Sequence, residues 1–212
     1  MKNKILINLS IYLLINIFFL VELRPKINNA IIVKVGSSII TSLDIKNEII
    51  TNLTINKIEV TQENINNKKN VAVKNLVSNS IKKNEIKKYK IIKYNKKDLE
   101  NYVEKIAKNL NTNRAGLKDI FKGAGISYDK LTEKYITELL WNTLIYKLYS
   151  NQININLIEV DNEIKTIKEN NNEFNFGEIK EQILSKKKGE KLNLFSRSHF
   201  SNLENTIKID FK

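Results

Sequence analysis

The sequence predicts a mainly α-helical fold closed by a small β-pairing of its two ends. Three observations carry this. Between Ile45 and Tyr149, apolar residues recur in stretches at three- and four-residue spacing, the period of a helix with one buried face. One proline and six glycines in 212 residues are too few for an all-β fold rich in tight turns. A short apolar strand, Ile31–Val35, stands near one end and an alternating one, Ile207–Phe211, at the other, so a partner of each lies far away in sequence.

Residues 1–23 place Lys2 and Lys4 ahead of a 17-residue apolar run from Ile5 to Val21. This is the charged and apolar pattern of a secretory signal peptide. The run is at the short limit for a spanning helix, and Asn8, Ser10 and Asn16 weaken it. The nearest cleavage-like site, Asn28-Asn29-Ala30, is poor, so cleaved signal and retained inner-membrane anchor both remain open. Either way the body is expected to be exported to the periplasm, and residues 1–29 stay outside the fold.

In the stretch 29–53, Ile31–Val35 reads as a strand, Gly36-Ser37-Ser38 as a tight turn and Ile39-Ile40 as a two-residue return. Thr41 followed by Asp44 is a capping-box spacing, and Ile45, Ile49 and Leu53 form one helical stripe. Residues 54–70 show no sustained period and read as a polar loop, with a helix start near Asn66. From Val71, one face carries Val73, Leu76, Val77, Ser80, Ile81 and Asn84, and the other Lys74, Lys82, Lys83, Lys87 and Lys88. That basic face is either solvated surface or a rim steering anionic partners.

Lys90–Tyr94 reads as a short extended piece, and Asn95 caps a helix striped by Leu99, Tyr102, Val103, Ile106 and Leu110. Thr112 or Asn113 starts a short helix that stops at Gly123, with Gly125 suited to a C-terminal cap. Ser127 caps what reads as the longest helix, ending near Gln152. Residues 165–176 form a polar connector. A helix through Leu192 and Phe195 then leads to the last strand.

The order of these steps resembles the SurA-like periplasmic chaperones. The matching positions begin with Val33, Gly36, Ile39, Asp44 and Ile45. They continue through Ile91 to Leu99, Gly125-Ile126-Ser127 to Leu131, and Ile153-Asn154-Ile155 leading to Val160–Ile164. At the other end Ile179, Ile183, Leu192, Phe195 and Ile207–Phe211 are similar to the family's C-terminal segment. The resemblance covers about residues 30–164 and 177–212. It implies a helical chaperone domain over 30–164, a connector over 165–176, and a C-terminal helix and strand over 177–212 packing back onto it. In that family one or two parvulin-type prolyl isomerase domains follow the Val160–Ile164 step; only a spacer follows it here.

The chain has one histidine, no cysteine, no Gly-rich phosphate loop and no H-E-x-x-H pattern, which removes most hydrolase, kinase and metalloenzyme templates. His199, between Ser198 and Phe200, reads as structural. No catalytic residue, metal site or cofactor is expected.

The net charge is +13, of which +10 lies beyond residue 29, since Lys2, Lys4, Arg24 and Lys26 face only Glu22 in the leader. Such a balance suits acidic protein clients or weak contact with an anionic membrane. Export makes nucleic acid the poorest fit. Tyr128, Tyr135, Trp141, Tyr146 and Tyr149 on one helix are either core and amphipathic edge or the lining of a crevice for extended, unfolded segments. The resemblance favours the second and implies an ATP-independent chaperone whose clients are outer-membrane β-barrel precursors. A divergent prolyl isomerase and a membrane-anchored subunit with a lipid-facing basic helix are the alternatives.

Overall fold

The computed structural model describes residues 29–169 and 175–212; the signal-like leader and the middle of the connector lie outside them. Seven helices and a three-stranded sheet follow in the order β1 (Ile31–Val35), β2 (Ser38–Thr41), α1 (Ser42–Ile55), α2 (Gln62–Lys88), α3 (Lys96–Asn109), α4 (Arg114–Gly123), α5 (Tyr128–Tyr149), α6 (Leu157–Glu169), α7 (Phe176–Thr206) and β3 (Ile209–Phe211). A 3₁₀ turn, Ser150–Gln152, ends α5. The fold is mainly α, with the ends joined as the sequence predicts.

Strand β1 is central in the antiparallel order β2-β1-β3, with Lys34 opposite Ile39 on one side and Asp210 on the other. Val33 and Val35 point inward and are fully buried, while Ile31 and Lys34 face out. Gly36, at φ +55°, turns β1 into β2 and donates its N–H to the Lys208 carbonyl at 2.9 Å. A Cβ there would sit 3.4 Å from the Ile207 side chain, so the turn and the tail are fitted together. The return strand is longer than Ile39-Ile40, because the Ser38 and Thr41 backbones also pair with β1. The last strand is shorter than predicted and only Ile209 packs inward; Phe211 is 69% exposed.

Helix starts follow their caps. The Thr41 hydroxyl accepts from the Asp44 N–H while the Asp44 carboxylate accepts from the Thr41 N–H, a reciprocal capping box. Asn113 and Ser127 cap α4 and α5. Helix α2 begins at Gln62, four residues before the expected start, because Thr61 accepts from the Asn64 N–H and Ile65 packs against the Ile49, Leu53 and Ala72 cluster. One apolar residue at the right position was enough to extend the helix through an otherwise polar stretch.

Four helices stop alike. At Lys57, Lys90, Asn111 and Gly125 the chain enters the left-handed region, with φ between 53° and 69°. In each, the next N–H reaches back to the third-last helical carbonyl, as Ile91 does to Ile86 and Ile126 to Phe121. Lysine at Lys57 carries the Cβ penalty that glycine avoids. Lys57→Gly is expected to stabilise the fold by about 1 kcal/mol, read as a shift of the urea midpoint without a change in slope.

Helix α5 is buried on several sides, as its length suggests, and packs against α2, α3, α4 and α7. It is not the longest helix. Helix α2 has 27 residues and α7 has 31, running unbroken past an exposed Gly189. The expected connector is partly helical too: α6 continues to Glu169, holding Ile167 against the Val160, Ile164 and Ile183 cluster. The second half of α7 returns to the body, where Phe200 and Leu203 bridge the β1–α2 cluster and the cluster around Trp141. Among the described residues these clusters run from Ile32 to Ile209.

Candidate functional site

Helix α1 separates two concavities on its opposite sides. Its period puts Ser42, Ile45, Lys46, Ile49 and Ile50 on one face and Asp44, Asn47, Glu48 and Thr51 on the other. The first face lines an apolar groove of about 340 Å³, completed by Ile32 of β1 and by Ile65, Lys69 and Val73 of α2. Its walls are branched aliphatic side chains, with lysines at the rim.

The second face lines a polar cleft of about 180 Å³ between α1, α2 and α5. At its floor Glu48, 8% exposed, accepts hydrogen bonds from Asn75 at 3.0 Å and from the Lys134 ammonium. Glu133 at the rim is bridged by Lys83 and, at 3.9 Å, by Lys130. The hydrogen bond from Lys83 is the main reason the Glu133 carboxyl sits below its ordinary pKa, against an opposing effect of burial. The cleft is thus largely self-neutralised, a poor receptor for either sign of charge.

These pairings revise the basic face of α2. Lys82 is only 16% exposed, holds Glu138 of α5 at 2.6 Å and lies 5.8 Å above the rings of Trp141 and Phe200. Lys83 is likewise engaged. Two of the five lysines therefore tie helices together, which a single-helix projection cannot show.

The five aromatic residues of α5 do not share one crevice. Tyr128 meets Phe121 edge-on at its N-terminal end. Tyr135 stacks on Tyr102 of α3 with centroids 3.6 Å apart. Trp141 is 2% exposed, its indole N–H donated to the Ser196 hydroxyl at 2.8 Å. Tyr149 stacks on Phe195 and bonds through its hydroxyl to His199 Nδ1 at 2.7 Å. Tyr146 is half-exposed beneath the Lys188 ammonium, the most open of the five. Trp141 in particular is enclosed by the fold and presents no surface to a client.

His199 joins three helices. Its Nε2 lies 3.2 Å from the Glu85 carboxylate of α2, its Nδ1 holds Tyr149 of α5, and its ring stands 5.6 Å from Trp141. Glu85 is buried and has Lys88 at 3.6 Å as its second partner. The arrangement ties α7 to the body. Among the described residues no group of three or more His, Cys, Asp or Glu could hold a metal, and no helix is long and apolar enough to cross a membrane.

Among solved structures the chain is similar to the SurA-like chaperones of Campylobacter jejuni described as the virulence factor PEB4 and the periplasmic protein Cj1289. The identity is 15%, 87% of this chain and 99% of that chain are covered, and the TM-score is 0.41. No family model and no curated protein matches the chain.

The groove residues Ile32, Ile45 and Val73 come from three separate elements, and Ile65, also of α2, lies in a stretch that reads as loop. The signal that could have found it was Thr61 and Asn64, a cap four residues ahead of an isolated apolar residue. The Tyr102–Tyr135 stack has a measurable consequence. Burial, followed by Tyr135, Glu48 and Glu138, raises the Tyr102 pKa. The unfolded phenol ionises first, near its ordinary value of about 10, so stability from this group is present below that pH and falls as pH rises toward the folded pKa. Melting temperature is expected to drop between about pH 9 and 11, and Tyr102→Phe to drop less.

Proposed function

We propose that the protein is an ATP-independent holding chaperone that binds extended, unfolded segments in the apolar groove between β1, α1 and α2. The observation that carries the reading is an open, aliphatic groove of about 340 Å³ in the small body formed when β3 closes on β1. Walls that are mostly aliphatic bind by area and shape, which favours weak and promiscuous capture. Lys46 and Lys69 at the rim favour acidic segments and speed encounter. The sequence resemblance to SurA-like chaperones supports the same role, with export to the periplasm and outer-membrane β-barrel precursors as clients. Tyr146, half-exposed on α5, is a second contact point in this reading. The chain acts by holding, with no catalytic step.

The test is aggregation of a urea-unfolded outer-membrane β-barrel on dilution. Residues 29–212 are expected to suppress scattering at near-stoichiometric ratio without nucleotide. Ile65→Gln, checked for retained folding by circular dichroism, is expected to lose most of the effect. Suppression unchanged in that variant would place clients elsewhere. No suppression by the parent chain, together with prolyl-peptide isomerisation well above background, would replace the holding role by an enzymatic one.

A further inference from the structure

The corner joining α2 to α3 carries six exposed lysines in eleven residues: Lys87, Lys88, Lys90, Lys93, Lys96 and Lys97. Lys88 reaches Glu85 and lies over the Tyr89 ring. The other five make no ion pair among the described residues, unlike Lys82 and Lys83 a turn earlier. The acid that follows them directly is Asp98, in the first turn of α3.

At the apex of this corner Ile92 is 80% exposed, the highest value for a large apolar side chain among the described residues. Its exposure is fixed by its neighbours. Lys90 takes the left-handed conformation, the Ile91 N–H returns to the Ile86 carbonyl, and the Ile91 side chain is buried with Ile86, Trp141 and Leu144. With Ile91 pinned inward, the corner holds Ile92 out between lysines instead of folding it away.

We infer that the Lys87–Lys97 corner docks the protein on an anionic lipid bilayer, with the lysines at the phosphate level and Ile92 below them. An anionic bilayer sets an apolar layer directly beneath a charged one, matching an apolar tip ringed by flexible cations. Single-stranded nucleic acid is held by aromatic faces that stack on bases, and Tyr89 and Tyr94 of this corner are half-buried. An acidic protein surface satisfies the lysines but gives Ile92 no layer to enter. The groove lies along the first half of α2, and Val73 is roughly 20 Å along the helix axis from Lys87. A protein seated by this corner keeps its groove open, and the inference stands whether or not the groove binds clients.

The test is co-sedimentation of residues 29–212 with vesicles of phosphatidylethanolamine containing about one-third phosphatidylglycerol, against vesicles of phosphatidylcholine alone. Binding is expected on the first and not the second, and is expected to weaken sharply between about 0.05 M and 0.3 M salt. Each lysine contributes about fivefold in partition, so Lys93→Gln/Lys96→Gln/Lys97→Gln is expected to bind about 100-fold more weakly. Ile92→Ser, at unchanged charge, is expected to lose roughly tenfold. The charge-matched Lys105→Gln/Lys122→Gln/Lys147→Gln protein is expected to stay within about threefold of the parent. Equal losses from the two triple variants would reduce the effect to net charge and overturn the inference. So would undiminished binding by Ile92→Ser, or corner-dependent binding to polyglutamate with none to the anionic vesicles.

Discussion

Ending the chain at Thr206 is expected to remove about 4 kcal/mol of stability, a large share of the ~5–15 kcal/mol of an ordinary domain. The six missing residues bring two half-buried isoleucines, Ile207 and Ile209, into the cluster with Val33, Val35 and Ile81. At about 1–1.5 kcal/mol each for partial burial, they account for roughly half of the effect. The rest comes from the β1–β3 ladder and from two flanking bonds, Gly36 N–H to Lys208 O and Lys212 N–H to Ile32 O, at about 0.5–1 kcal/mol each. The truncated chain also bares the edge of β1, so aggregation should accompany the loss. Urea unfolding followed by circular dichroism measures the first effect, and light scattering at rising concentration the second. A truncated chain as stable as the parent would mean that the sheet is a two-stranded hairpin with an incidental tail.

Trp141→Ala is expected to cost about 4 kcal/mol and lower the melting temperature by about 10–15 °C. The indole is enclosed by Ile86, Leu144, His199 and Phe200, and its N–H is paired to Ser196 of α7. Truncation leaves a cavity where α2, α5 and α7 meet and strands the Ser196 hydroxyl. It also removes one of the two rings under Lys82. Tyr146→Ala, on the same helix but half-exposed, is expected to change stability by less than about 0.5 kcal/mol. The pair separates the aromatic residues that hold the body together from the one that can meet a client.

What was legible in the sequence is what local chemistry decides. The Thr41–Asp44 box, the caps at Asn95, Asn113 and Ser127, and the left-handed Gly125 each depend on residues within four positions of one another. The β-pairing of the ends was legible because the alternating Ile207–Phe211 strand had no partner near it in sequence. What escaped depends on residues far apart. Ile65 extends α2 by packing on Ile49 and Leu53, and Ile167 carries α6 into the supposed connector by packing on Val160 and Ile183. Lys82 and Lys83 look like solvated lysines until α5 brings Glu138 and Glu133 beside them. The groove was invisible for the same reason, since its walls come from β1, α1 and α2. The aromatic stripe of α5 was visible as a pattern, but the partners of each ring, Tyr102, Ser196, Phe195 and Lys188, lie on other helices.

Site-specific photo-crosslinking tests the groove most directly. A benzophenone amino acid at Lys46 or Lys69, both exposed at the rim, leaves the core untouched. With an unfolded β-barrel client present, both positions are expected to yield client adducts, and the same probe at Lys105 on α3 none above background. Adducts at Lys105 as abundant as at Lys69, or none at either rim position while aggregation is still suppressed, would contradict the groove as the client-binding site.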